Sequence, residues 1–566
     1  MDVPFHRVKV CGDILVTARG ASVHTFHAVD GAYIATWRLP KPAGKEDGAK
    51  SKKNGTDKGS AAPTVETSSA TPPPKRRRLE SAAGAKQQQQ TGEDAPSKEQ
   101  RKKRSAAAAV TAALRSGDLP VVSILEATAD GHHVIVVMGH DKTVRVLAHD
   151  LQGHIEQISQ RTVPKRPSAV AITADGQTIL VGDKFGDVYA LPLIETEESK
   201  KAKAAAKVAE QSDLPVVAAA PTTSTATTTT TITTPLQLQA NSFTVHTKGN
   251  LQALENQRRQ KELQTQQKAK QHPQDAADCR LLLGHVSMLT AVAVAEAVPA
   301  ACRGSNTIAI TTTPPRPLIL SADRDEHIRV TRGVIGSSPA TSQTHVIETF
   351  CLGHTSFVSR MCIAATRPDR LVSAGGDGEL RVWDFWPDGR TVSSASLAPL
   401  VEQAVGSSTV PQVAVSGLYT FPTDSSPVAT SSIVAICERV PAVFFFVLEP
   451  DGTTLTHAQT LQLPGLPLDI GVLAPRGETR LAVALAAKDD SSDADEATYA
   501  SASLLVVARG HGQAAWQVQE ARLGPLPEES YQSDQSDIDV DPVALRHLLL
   551  FGTDSLRKSA DETGGD

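Results

Sequence analysis

Four stretches of this chain can be laid on one another, and that self-similarity limits the fold more than any other feature. They are HHVIVVMGHDKTVRVLAHD (132–150), QTILVGDKFGDVYALPL (177–193), LILSADRDEHIRVTR (318–332) and RLVSAGGDGELRVWDF (370–385). Each carries an apolar run, a tight turn with Asp or Gly, and a second, alternating run. Short runs of this kind bounded by turn signals read as strands. A strand pair that recurs along a chain is one supersecondary unit, which must stack on its own copies to bury its faces. The chain is therefore expected to be all-β.

Three segments fall outside the pattern. Residues 41–118 hold 17 Lys and Arg against 9 Asp and Glu, with a Gln run and no apolar periodicity. Residues 194–278 pass from a Lys/Ala stretch through a Thr run to a Gln-rich tract. The stretch from 524 opens acidic (EES, SDQSD, DVD) and closes with LRHLLLFGTDSLRK (545–558), expected as an amphipathic helix that packs on the folded part of the chain or on a partner. Segments so poor in apolar residues cannot offset a backbone entropy cost of roughly 1–2 kcal/mol per residue, so disordered insertions and a mostly disordered acidic tail are expected. The reading is a folded region over 1–523, interrupted at 41–118 and 194–278, followed by a tail at 524–566.

The copy at 348–387 is the clearest. Gly353-His354 opens it, Ser373 and Asp377 follow, and Trp383-Asp384 closes it. That order is the WD-repeat signature, four strands to a propeller blade. In such repeats the His, Ser, Asp and Trp form a hydrogen-bonded chain, placed here on His354, Ser373, Asp377 and Trp383. The copy at 281–332 assigns the same role to His285, Ser321 and Asp325, with Thr331 where Trp would stand. At about 40–45 residues per blade, the folded residues give a seven-bladed WD-repeat β-propeller. The register reads 5–39, 119–150, 166–193, 280–333, 348–388, 430–462 and 466–512. The two long insertions then fall between blades one and two and between blades three and four. A closed ring leaves only short protected sheet edges, and loop-closure cost rises slowly with insertion length.

Reactive chemistry is hard to find. No GxxxxGK[ST], HExxH or GxSxG occurs. The pair Asp323/Asp325 invites a metal or acid–base reading, but a turn cap and a solvated neighbour account for it more simply. The glycines at 375–376 sit between strands and open no helix, so they offer no phosphate cradle. The six cysteines are scattered without a CxxC pair, as expected of free thiols in a reducing compartment. No 18-residue apolar window is present, and the Met1-Asp2-Val3-Pro4 start lacks a leader-like basic and apolar run, so neither a membrane helix nor a secretory signal is expected. The net charge of −5 argues against a chain that coats nucleic acid. Two basic runs, Lys75-Arg76-Arg77-Arg78 and Arg101-Lys102-Lys103-Arg104, read as nuclear localisation signals. The chain is expected to be a non-enzymatic nuclear binding scaffold with no cofactor of its own.

Several unusual strings resemble one family. Lys165-Arg166-Pro167-Ser168-Ala169, DKFGDVYAL (183–191), ADRDEHIRV (322–330) and FCLGHTSFVSRMC (350–362) are similar to the non-catalytic WD-repeat subunit of eukaryotic, in particular fungal, tRNA (guanine-N7-)-methyltransferase. The resemblance implies a partner subunit that binds S-adenosylmethionine and forms 7-methylguanosine in the tRNA variable loop, with tRNA reached through the complex. It also implies that the basic residue on the DRDE-x-I-[KR] strand, here Arg329, faces an acidic residue of that partner. An arginine fork suits such bidentate pairing, although Asp323, Asp325 and Glu326 stand close enough in sequence to neutralise it. Lys184, Asp187, Lys165 and Arg166 are weaker partner-binding candidates. The competing reading is a WD-repeat adaptor of another nuclear complex, such as a ubiquitin-ligase substrate receptor.

Overall fold

The computed structural model describes residues 3–39, 120–197, 278–297, 316–335, 342–406, 412–423, 430–473, 478–486, 504–509, 515–519, 526, 542–550 and 552–557. Among these, strands form seven four-stranded antiparallel sheets, each joined in simple up-and-down order. The first strands are Phe5–Cys11, Val122–Ala127, Pro167–Ile172, Leu289–Ala297, Val358–Ala364, Val415–Pro422 and Leu466–Leu473. Each packs against the first strand of the next sheet, and the seventh packs against the first, which closes the ring. The protein is a seven-bladed β-propeller with the first strands around the central channel.

Burial explains the strand sequences. A second strand is covered by the neighbouring blades on both faces, so Ile14–Arg19 and Ser431–Cys437 are buried at every position. Fourth strands form the rim, and Ile155–Thr162 alternates between buried and exposed residues. The cores lie between blades. Val372, Val382, Phe444 and Phe446 join blades five and six, while Leu15, Phe26, Leu468 and Ala482 join blades one and seven.

The blade boundaries correct the sequence register. Gly284-His285 and Gly353-His354 follow the outermost strand of one sheet and precede the innermost strand of the next. A repeat unit opened at Gly-His therefore starts one strand early. Arg280–Gly284 is the fourth strand of blade three, pairing Asp187 with Gly284 and Val188 with Leu283. The second long insertion thus interrupts blade three instead of separating it from blade four. Blade two likewise runs on through Ile155–Thr162, and blade six begins at Val415. The interiors of both insertions lie outside the described residues.

Every blade carries a β-bulge where its first and second strands pair, and the extra residue is the second of the first strand in blades one to six and the third, Leu468, in blade seven. In five blades that residue is Ser or Thr, whose hydroxyl bonds a carbonyl of the second strand: Ser123 to Val137, Ser168 to Gly182, Thr290 to Ala322, Ser359 to Ala374 and Ser416 to Ile436. A bulge interrupts the ladder and leaves a backbone group to satisfy, and a short hydroxyl side chain does so locally.

In blade one the bulge residue is His6. Its Nε2 lies 2.8 Å from the Val122 carbonyl, and burial, reinforced by Arg7, lowers its pKa from 6.5 to about 4. The unfolded chain therefore binds the proton that the folded one refuses between pH 6.5 and 4. Stability is expected to fall through that window on acidification, by up to about 3 kcal/mol at one pKa unit per 1.36 kcal/mol. His6→Gln, which keeps the donor to Val122, should flatten this dependence in urea denaturation at pH 7 and pH 5; an unchanged slope would exclude His6 as its source.

The C-terminal region returns to the ring. Helix α1 (Ala398–Val405) lies between blades five and six, and helix α2 (Pro542–Leu550) packs Leu550 among Phe5, Val8 and Leu466. A 3₁₀ turn at Asp554–Leu556 then places Leu556 against Phe357, Ala414 and Met288. The amphipathic run expected at 545–558 packs on its own propeller. Its leucines are each worth about 1.5–3 kcal/mol of burial, largely offset by ordering the segment. Truncation at residue 540 is expected to cost about 2 kcal/mol, measured as a lower urea midpoint with the fold retained.

Candidate partner-docking surface

The histidines at the blade openings are structural. In blade five, His354 Nδ1 lies 2.8 Å from Asp377 Oδ2 and Nε2 lies 2.7 Å from Ser373 Oγ, while Trp383 Nε1 donates to the same Oγ at 2.7 Å. All four expected residues are joined. In blade four, His285 meets Ser321 Oγ at 2.7 Å, but its carboxylate is Asp323 at 2.9 Å rather than the expected Asp325. Asp325 instead donates its backbone N–H to Asp323. Blade five cannot use the earlier position, because Gly375 stands there and a Cβ would meet the Phe357 carbonyl. Burial opposes ionisation of Asp323 and Asp377, yet the hydrogen bonds they accept, first of all from His285 and His354, hold both carboxyls below the usual range. These chains are closed on themselves and leave no reactive group facing solvent.

A different cluster forms where blade three meets blade four. The turn Asp183–Asp187 is held by Asp183 Oδ1, which accepts from the N–H groups of Phe185 at 2.7 Å and Asp187 at 3.1 Å. Gly186 has φ +98°, and a Cβ there would lie 2.4 Å from the His285 carbonyl and 2.6 Å from that of Ser287. The turn is thereby seated against the Gly284–Ser287 loop. Lys184 donates its backbone N–H to the Arg166 carbonyl at 3.1 Å, and the Lys165 ammonium sits 4.5 Å from the centre of the Phe185 ring. Asp187 pairs with Gly284, and Arg329 Nη2 donates to the Gly284 carbonyl at 2.9 Å.

The structure thus gathers all five partner-binding candidates into one region. Lys165 and Lys184 are exposed, while Arg166, Asp187 and Arg329 are half-buried. Asp187 also accepts from Tyr189 Oη at 3.1 Å, which gives it a local structural role. Arg329 forms no ion pair among the described residues. Asp323, the carboxylate that acts on it most, is occupied by His285, and burial lowers the arginine's pKa against that attraction. The neutralisation within its own blade that the sequence allowed is therefore absent among the described residues.

Sequence reasoning missed the apolar part of this surface. Phe185 is 64% exposed and Val286 is fully exposed; Leu352 and Phe350, the strand partner of Arg329, add to the patch. A phenylalanine at the tip of a turn, flanked by Lys184 and Gly186, was the available signal. Exposed apolar groups ringed by cations mark an interaction site. The two basic runs at 75–78 and 101–104 lie outside the described residues.

Ring, signature chains and exposed patch define a WD-repeat propeller, a scaffold that works by presenting surface. The family profile described as "tRNA methyltransferase TRM82 WD40 domain" matches residues 15–507. The chain belongs to that family. It is 34% identical over 478 residues to the "tRNA (guanine-N(7)-)-methyltransferase non-catalytic subunit trm82" of Sclerotinia sclerotiorum, covering 82% of this chain and 80% of that one. Identity to the Aspergillus clavatus protein of the same name is 36%, over 68% and 67% of the two chains. A mouse protein, "tRNA (guanine-N(7)-)-methyltransferase non-catalytic subunit WDR4", is 35% identical over 35% of this chain and 40% of its own.

Proposed function

We propose that this chain is the non-catalytic propeller subunit of a tRNA guanine-N7 methyltransferase. It binds the catalytic subunit as a heterodimer through the blade three–four surface and keeps it active, so that 7-methylguanosine forms in the tRNA variable loop. S-adenosylmethionine belongs to the partner, tRNA is reached through the complex, and the basic runs at 75–78 and 101–104 direct the chain to the nucleus. The observation that carries this reading is the convergence of Lys165, Lys184 and Arg329, which has no ion pair among the described residues, on exposed Phe185 and Val286. A cationic rim around an apolar centre fits an acidic protein face.

Measuring 7-methylguanosine in tRNA from cells lacking the chain tests the function. Loss of the modification, restored by the wild-type gene, is expected. Unchanged levels would overturn the reading, as would methyl transfer by the purified chain alone.

A further inference from the structure

The central channel holds a charge imbalance that the docking surface does not use. At the residue after each bulge, three first strands carry charge: Arg7 in blade one, Arg360 in blade five and Asp469 in blade seven. Ala169, Ala291 and Gly417 stand at the same level in blades three, four and six and carry no charge, and the Tyr419 hydroxyl lies over Gly417. Lys9, Glu126 and Tyr419 lie two residues or fewer further along their strands.

The anionic groups are already committed. Glu126 pairs with Lys9 at 2.9 Å. Asp469 accepts the Val8 N–H at 2.9 Å on Oδ2, and the Tyr419 hydroxyl at 2.6 Å with the Ile470 N–H at 3.0 Å on Oδ1. Among the described residues Arg7 donates only to the Ser123 carbonyl at 2.9 Å, and Arg360 only to that of Ser359 at 3.0 Å. Neither guanidinium forms an ion pair among the described residues. Blades one and five are not neighbours in the ring, so the repulsion between Arg7 and Arg360 acts across the channel. Burial first and Arg7 second lower the pKa of Arg360, outweighing Tyr419, Asp469 and Glu126. An arginine keeps its charge even so, and an enclosed charge without a partner is costly.

The C-terminal turn lies at the channel mouth beside blades four to six. Met288, Phe357 and Ala414 immediately precede the first strands of blades four, five and six, and Leu556 packs on all three. Glu438 secures that turn, accepting the Thr553 N–H at 2.6 Å and pairing with Arg557 at 3.4 Å.

We infer that Arg7 and Arg360 form an anion site inside the propeller, taking a phosphate-sized oxyanion beneath the C-terminal turn. Two guanidinium forks approaching from opposite walls match a tetrahedral acceptor. An anion bound only to the folded chain stabilises it by mass action.

The full-length chain is melted in 5 mM inorganic phosphate and in chloride of equal ionic strength, beside Arg360→Gln. Phosphate is expected to raise the wild-type Tm by on the order of 5 °C and to have at most a general salt effect on the variant, which in chloride melts no lower than wild type. Broadening of the phosphate ³¹P resonance by the wild-type chain, relieved by truncation at residue 540, reads the same site without relying on the variant. Equal melting in phosphate and chloride, or an undiminished response in Arg360→Gln, would overturn the site. Adenosine monophosphate tests the size of the site: no stabilisation by it is expected, and stabilisation equal to that by phosphate would overturn a site of phosphate size inside the channel.

Discussion

Arg329→Glu is expected to weaken the complex with the catalytic subunit on the order of 100-fold or more while leaving the propeller folded. Truncating one side of a buried charge pair at an interface costs roughly 2–5 kcal/mol, and reversal adds repulsion to the loss. The fold has little stake in this side chain, whose single hydrogen bond among the described residues goes to the Gly284 carbonyl. Co-purification and the dissociation constant read the first effect, and urea denaturation of the isolated subunit reads the second. Lys165→Glu, at the exposed rim, should weaken binding far less and mainly at low salt. Undiminished co-purification of Arg329→Glu in high salt would remove Arg329 from the interface.

Trp383→Ala is expected to produce the largest loss of stability, about 4 kcal/mol. Trp383 is fully buried among Leu320, Val330, Leu371 and Phe385 between blades four and five. An indole N–H can only donate, so it gives its proton to Ser373 Oγ. Asp377 fixes the imidazole proton on Nδ1, and the serine hydroxyl therefore donates to His354 Nε2. Removing the ring opens a cavity and breaks this ordered chain at one end. Trp383→Phe keeps most of the packing and should cost about 1–2 kcal/mol. In blade four Thr331 bonds the Ile319 carbonyl instead, so Thr331→Ala should cost no more than about 1 kcal/mol. Equal losses for the Phe and Ala variants of Trp383 would assign the effect to the hydrogen bond rather than to packing.

The ring was legible because its chemistry is repeated. Alternating strands, aspartate or glycine turns and one complete His-Ser-Asp-Trp set suffice to name seven blades. The boundaries were harder to read, since the Gly-His mark lies between two sheets and belongs by sequence to neither. The carboxylate that meets His285 is Asp323, whereas Asp325 stands four residues after Ser321, the spacing of Asp377 from Ser373 in blade five. That spacing is forced there by Gly375 and the Phe357 carbonyl, a contact between distant residues that no local pattern records. The bulge hydroxyls were equally hidden, because a Ser or Thr at the second position of a strand is unremarkable until seven strands are aligned in space. Lys165, Lys184 and Arg329 were found as isolated residues. Only the seating of Gly186 against the His285 loop makes them one surface, and only the fold shows Phe185 outside the core.

Blade three is built from two remote stretches of chain: Asp187–Pro192 and Arg280–Gly284 lie side by side, with residues 198–277 linking them in sequence. Covalent continuity at that point does little for the finished ring. The link raises the effective concentration of one part at the other, to the millimolar range at most, while the Asp187–Gly284 ladder, the blade three–four core and the closure between blades one and seven hold the same parts together without it. The subunit is therefore divisible. A polypeptide ending within 198–277 and a second one beginning there carry complementary edges, and a cell that clips the insertion would still possess a whole propeller, now made of two chains.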